Sequence, residues 1–372
     1  MAETKEGGGF ALPRLESRAL KYGYSNARVK AMKGLLLKIG ALDDLIRVGS
    51  LEGMAELLQK TGYKQDLATA AMDYSGAEMI EIAAADNFSR TVKKLIRITP
   101  KSDKKALQAL LIRWDLLNLK TLMHAKRIRK TYDDVKPFVY EVGGLTEDDF
   151  KRIMKADEGT VMRELRRTEL GQKMLSMATG QLSQRMKESF TNAMRSLDMF
   201  LQMEAVIDAY TYTFMDESLS QMGGREAEAI RNILRKEIDA KNILIIERMK
   251  KHGIARERIV DGLIKGGTLP PALIEKILDA KDMQAVLALV RSKFRGIELK
   301  EGKAGMADLE IALEKSIAAQ KVTAFHRSAL SVGVIIGFLL LKEEEMNNLR
   351  KIAKGKAFEL PESEIRDMIV TV

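Results

Sequence analysis

Apolar residues recur every three or four positions along nearly the whole chain, and the period-two alternation of half-buried strands is missing, so the expected fold is all-α. The pattern is plainest through RWDLLNLKTLMHAKRIRK, residues 113–130, and the turns leading into it. There Leu107, Leu110, Leu111, Trp114, Leu117, Thr121, Leu122, Ala125 and Ile128 predict one broad apolar face. Asn118 falls inside that stripe, with Asp115 one turn ahead of it. An amide left unpaired on a buried face costs about 1–3 kcal/mol, so both side chains need partners.

The arrangement returns twice. Asp239 and Asn242 sit within the stripe Leu234, Ile238, Ile245, Ile246, Met249, and Glu345 and Asn348 precede Leu349 and Ile352. A lysine follows each asparagine by eight positions: Lys126, Lys250 and Lys356. Upstream, Glu81 precedes Asn118 by 37 residues, and Glu204 and Glu310 precede Asn242 and Asn348 by 38 each. Downstream, Gly143-Gly144-Leu145-Thr146 opens a short helix, with Thr146 and Asp149 spaced as a capping box. Gly266–Pro271 opens another, with proline where a first helical turn tolerates it, and Glu359-Leu360-Pro361 opens the last. Second short helices are expected over Thr160–Arg167 and Met283–Phe294. The amino-terminal segments Leu42–Arg47 and Leu51–Lys60 have the same look, with Ser50 as a cap, and Asn26 marks a weaker fourth relative of the asparagine element.

The unit is therefore a long helix carrying Glu, a long helix carrying Asp/Glu-x-x-Asn, and a turn with one or two short helices. The expected division is a flexible tail over 1–18, amino-terminal helices over 19–74, and repeats over 75–195, 196–300 and 301–372. The last looks truncated, and the amino-terminal helices are expected to complete it. Asparagines 124 and 106 residues apart mark whole-domain repeats, far beyond the ~20–50 residues of a solenoid unit. A closed body of three pseudo-threefold-related domains follows. Asp115, Asp239 and Glu345 are expected to accept hydrogen bonds from a neighbouring helix or to pair with an arginine.

Composition narrows the function. The absence of cysteine excludes disulfides and thiolate chemistry and suits a reducing compartment. The longest apolar run, Ala329–Leu341, would cover roughly 20 Å as a helix, short of a ~30 Å hydrocarbon layer, and reads as buried. Net charge is +10, but lysines and arginines interleave with 52 acidic residues, as on solvated helix faces. Aromatics are only 5 % and Trp114 lies in an apolar stripe, which argues against nucleic-acid stacking. His124, His252 and His326 are scattered, no phosphate-binding loop or nucleophile turn occurs, and the 21 methionines, including those in 174–203, lie mostly at apolar helical positions. No catalytic residue, cofactor or metal ligand is assigned.

Three stretches carry a resemblance. Tyr22-x-x-x-Asn26-Ala27-Arg28-x-Lys30-Ala31-Met32-Lys33, Trp114-Asp115-x-x-Asn118-Leu119-Lys120-Thr121-Leu122 and Glu237-Ile238-Asp239-x-x-Asn242-Ile243 resemble segments of the C subunits of archaeal A-type ATP synthases, equivalent to the d subunit of vacuolar-type ATPases. The carboxyl end, from Lys342 through Asn348 and Lys356 to Leu360-Pro361 and Ile365-Arg366, fits as well. The resemblance implies a funnel-shaped, non-catalytic rotor component, present once per complex on the cytoplasmic side of the membrane. Its implied partners are the central shaft made of the D and F subunits, seated in the open centre, and the membrane ring of proteolipid subunits. A helical-repeat scaffold or basic binding protein of another complex is the alternative.

Overall fold

A computed structural model describes residues 14–157, 160–176, 197–220, 225–294, 297, 305–327 and 330–370. All regular structure among them is helical. Helix α1 (Arg14–Lys33) is followed by the short α2 (Ile39–Arg47), α3 (Leu51–Gln59) and α4 (Lys64–Ala70), then by the long α5 (Gly76–Ile98). The asparagine helix α6 (Lys104–Arg127) precedes α7 (Tyr132–Val135), α8 (Glu147–Lys155), α9 (Val161–Arg166) and α10 (Glu169–Ser176). The next long pair is α11 (Leu197–Ser220) and α12 (Arg225–Lys251), with α13 (Arg256–Gly262), α14 (Pro271–Asp279) and α15 (Met283–Val290) behind it. The last pair is α16 (Met306–Arg327) and α17 (Val332–Ala357), with α18 (Glu362–Met368) at the end.

The first helix begins at Arg14, so part of the segment expected as tail is helical. Residues 1–13, with Gly7–Gly9, and the centre of the methionine-rich stretch, 177–196, lie outside the described residues, as does the side chain of His326.

Each long helix carrying the upstream glutamate packs along an asparagine helix of another unit. Helix α11 lies on α6, α16 on α12, and α5 on α17, so the last unit is joined back to the first. Long apolar faces drive this: Val332 to Leu341 of α17 are buried without a break, and Phe88 and Leu95 of α5 are fully buried. Burial of such side chains contributes roughly 1.5–3 kcal/mol each before ordering costs. The run expected as a buried helix is one from Val332 on, with Ser331 as its cap and Ala329 outside the described residues, and among the described residues no helix is long and apolar enough to cross a membrane.

The three asparagine helices end alike. The eleventh residue after each asparagine is left-handed: Arg129 at φ 57°, Gly253 at 68° and Glu359 at 53°. The following amide then reaches back five residues, Lys130 to Ala125, Ile254 to Met249 and Leu360 to Gly355, closing the helix end. Helices α7, α13 and α18 start three residues further on. Caps read from sequence also form. Ser50 Oγ accepts from Gly53 N–H at 3.0 Å, and Thr146 and Asp149 make a reciprocal capping box.

Candidate functional site where three helices meet

Each asparagine clamps a backbone segment 22 residues ahead by two bonds. Asn118 Nδ2 donates to the Tyr140 carbonyl at 2.6 Å, and its Oδ1 accepts from Tyr140 N–H at 2.8 Å. Asn242 does the same to Ile264 at 2.9 and 2.8 Å, and Asn348 to Val370 at 2.7 and 2.8 Å. All three asparagines are buried. An amide side chain offers one donor and one acceptor in a plane, the same pattern that a neighbouring strand would present, which is why it can serve a lone extended residue in the core. Asn26 makes the same pair with Ser331, at 3.1 and 3.0 Å, linking α1 to the start of α17. Tyr22 lies on the same helix with its hydroxyl donating to Asp103 at 2.7 Å, whereas Arg28 is exposed.

The acidic partner one turn earlier grips the turn before the next short helix. Asp115 accepts from Gly144 and Leu145 N–H at 2.7 and 3.0 Å. Asp239 accepts from Thr268 and Leu269 N–H at 2.6 and 3.1 Å, and from the Thr268 hydroxyl at 2.5 Å. The donors are thus amides of a tight turn rather than groups along a neighbouring helix. Glycines Gly143 and Gly267 permit the approach, since a Cβ at either would collide with the carboxylate. The lysine closes the far end. Lys126 donates to the carbonyls of Met154 (2.8 Å) and Ala156, and Lys250 to those of Ile277 (3.2 Å) and Ala280 (2.8 Å). Asp and Lys therefore hold the two ends of one nine-residue helix, α8 or α14, to the long helix.

In the last copy residues 37–48, from the other end of the chain, occupy the place of that helix. Glu345 accepts from Leu37 N–H and from the Tyr63 hydroxyl at 2.6 Å. Helix α2, also nine residues, begins two positions after Leu37, as α8 and α14 do after Leu145 and Leu269. Lys356 then donates to the carbonyls of Ile46 (2.8 Å) and Val48. Glutamate rather than aspartate stands at 345, and its extra methylene goes with an added partner, the Lys342 ammonium at 2.5 Å. Burial lowers the pKa of Lys342 against the opposing pull of Glu345.

Five residues before each asparagine stand Arg113, Glu237 and Glu343, and these converge. Arg113 pairs with Glu343 and lies 3.9 Å from Glu237. Lys321 of α16 joins them, at 3.3 Å from Glu237 and 2.8 Å from Glu344. Burial alone would depress the Lys321 ammonium, but Glu344 and Glu237 outweigh it and raise its pKa. Burial pushes the Glu343 carboxyl up, against Arg113 and Lys321. Breaking such a cluster by removing one partner costs about 3–5 kcal/mol, because the others stay buried and uncompensated.

The cluster borders a cavity of about 240 Å³ between α6, α11, α12, α16 and α17. A second, of about 520 Å³, continues it outward between α6, α11 and α12, and both share Leu117, Lys120, Asp208, Lys241 and Leu244. Here the apolar stripe read for α6 is too broad. Leu107, Leu110, Leu111, Trp114, Leu122 and Ala125 are buried, but Leu117 is 43 % and Ile128 54 % exposed, facing the cavities. Periodicity alone cannot tell a core-facing position from one lining a groove. His124 is exposed on this side, with its ring 5.5 Å from that of Phe200. Among the described residues no group of His, Cys, Asp and Glu is placed to hold a metal ion.

Residues 25–368 match the family model described as ATP synthase (C/AC39) subunit. The C subunit of the A-type ATP synthase of Methanosarcina barkeri is 26 % identical over 357 residues, covering 94 % of this chain and 93 % of that protein. Its counterpart in Thermococcus onnurineus is 27 % identical, covering 93 % and 89 %, and that in Methanocaldococcus jannaschii is 24 % identical, covering 94 % and 86 %. With nearly the whole chain matched by that model, the chain belongs to the ATP synthase (C/AC39) subunit family.

Proposed function

We propose that the protein is a non-catalytic rotor component of an A-type ATP synthase, linking a shaft made of the D and F subunits to the membrane ring of proteolipid subunits and passing torque between them. The observation that carries this reading is the joining of the two chain ends. Lys356, Glu345 and Asn26 tie the last unit to the amino-terminal helices, and α5 of the first repeat packs along α17, so that no unit is held only by its covalent neighbour. A body closed in this way resists twisting, because separating any two units breaks buried hydrogen bonds as well as helix packing. A single copy would sit on the cytoplasmic face of the membrane, peripheral to it, in a three-domain funnel divided near residues 75, 196 and 301. The positive net charge of +10 supports association with acidic surfaces of the shaft or ring.

Co-elution tests the reading. The purified protein is mixed with recombinant D–F shaft and, separately, with detergent-solubilised proteolipid ring. Binding to both, with a ternary complex that weakens as salt rises, is the expected result. A folded monomer that binds neither would defeat the assignment.

A further inference from the structure

Helix α1 has one face in the body and one face bare. Tyr22, Ser25, Asn26 and Val29 are buried where α1 meets α17 and the turn between α5 and α6. On the opposite side Leu20, 77 % exposed, Tyr24, 69 % exposed, and the exposed Ala27 and Ala31 form a continuous apolar strip. Their spacing follows the a and d positions of a coiled coil, and the strip runs about 16 Å, or three turns, wholly inside the helix. Lys21, Arg28 and Lys30 flank it at the positions that set charge pairing in such a seam, and all three are exposed. Lys21 pairs with Asp103 at 3.0 Å, whereas Arg28 and Lys30 have no ion-pair partner among the described residues. From residue 17 to residue 42 the chain carries six cations and no acid. At the α5–α6 turn, to which α1 is fastened, Arg97, Lys101 and Lys105 are exposed as well, again without an ion-pair partner among the described residues. No residue of α1 lines either of the two central cavities.

An exposed a/d seam edged only by cations is selective. A second copy of this helix would set cation against cation along both edges, which opposes self-pairing. A lipid surface takes up bulky side chains along the whole face of a helix, and Ala27 and Ala31 have little to insert. The same alanines let the backbone of another helix come close. We propose that the outer face of α1 docks a helix of another subunit, its apolar edge on Leu20, Tyr24, Ala27 and Ala31 and its flanking carboxylates against Arg28 and Lys30. The proposal rests on the reading of the protein as one subunit of a rotary complex. The uninterrupted positive charge draws an acid-edged helix to the seam and rejects a basic-edged one.

A photoreactive phenylalanine analogue in place of Tyr24, in cells that assemble the whole complex, tests this directly. After irradiation the captured peptide is expected to be a single segment of another subunit, with apolar residues three and four apart and carboxylates beside them. The same analogue at Met72, which is 80 % exposed, should not capture that segment. Leu20→Asp should lower the yield at least about tenfold, and Arg28→Glu combined with Lys30→Glu by about as much, while Arg28→Lys with Lys30→Arg should keep it. All these side chains are exposed, so the melting temperatures of the variants should match that of the unsubstituted protein, which separates lost docking from lost folding. Capture of lipid alone, of a segment without carboxylates, or of nothing while the subunit co-purifies with the complex would overturn the proposal and leave the rotor reading intact. Absence of the unsubstituted subunit from the complex would defeat both.

Discussion

The ammonium of Lys356 donates to the carbonyl of Ile46 at 2.8 Å, joining residues 310 apart at the two ends of the chain. Lys126 and Lys250 make the equivalent bonds within 30 residues. One local fastening device is thus used in the third unit to close the whole body. Replacing Lys356 by methionine should keep the side-chain packing and release the end of α2. Hydrogen exchange should rise in residues 39–48 and leave 147–156 and 271–280 unchanged, whereas Lys126→Met should loosen 147–156 alone. Uniform exchange changes in both variants would contradict this separation.

Asn118→Ala would leave both backbone groups of Tyr140 without partners in the core. The expected loss is about 2–4 kcal/mol in chemical denaturation, with Asn242→Ala and Asn348→Ala alike, against under about 1 kcal/mol for the exposed Asn232→Ala.

Gly143 and Gly267 each touch the carboxylate their turn supports, and a methyl group has no room there. Gly143→Ala should destabilise by about 1–3 kcal/mol, and Gly40→Ala, with open space around it, should not. Combining Gly143→Ala with Asp115→Ala should cost less than the sum of the two single changes. Strict additivity would show that the collision is not the cause.

Of the three left-handed helix ends only the second is glycine. Arg129→Gly and Glu359→Gly should therefore stabilise by about 0.5–1 kcal/mol, read as a rise in melting temperature, while Gly253→Ala should lower it.

The Tyr140 hydroxyl is buried with no hydrogen-bond partner among the described residues, beside Trp114, Arg350 and Glu81. Burial pushes its pKa up to about 12, opposed by Arg350 and assisted by Glu81. The unfolded phenol ionises near pH 10 while the folded one keeps its proton, so its stabilising contribution is whole below pH 10 and lost as pH rises through about 12. Melts at pH 9 and pH 11.5 should show Tyr140→Phe losing less stability than the unsubstituted protein, by up to about 2 kcal/mol. Equal losses would remove this account of alkaline unfolding. At neutral pH the same substitution should be nearly neutral, since it deletes an unsatisfied polar atom.

The helices, their caps and the asparagine register were legible because they depend on residues close in sequence. Thr146 and Asp149 are three apart, and each asparagine lies 22 residues from the backbone it holds. The acids at 115 and 239 were recognisable as structural, but their turn amides were not foreseen, because a backbone donor leaves no mark in the sequence except the glycines that admit it. The meeting of Arg113, Glu237 and Glu343 was also missed. Their common offset from the asparagines was present as a signal, yet each reads singly as an ordinary charged helix position. Leu117 and Ile128 were placed in the core because a groove-lining helix face has the same period as a buried one.

By itself the sequence determined an all-helical chain with three copies of an Asp/Glu-x-x-Asn helix, since helix period and polar spacing are local properties. Tertiary structure alone decided how the amino-terminal α2 is fastened to the third copy, which charges meet at the centre and which apolar residues stay open to a groove. Those outcomes depend on contacts between residues as far apart as Ile46 and Lys356, whose pairing is set by packing the whole chain at once.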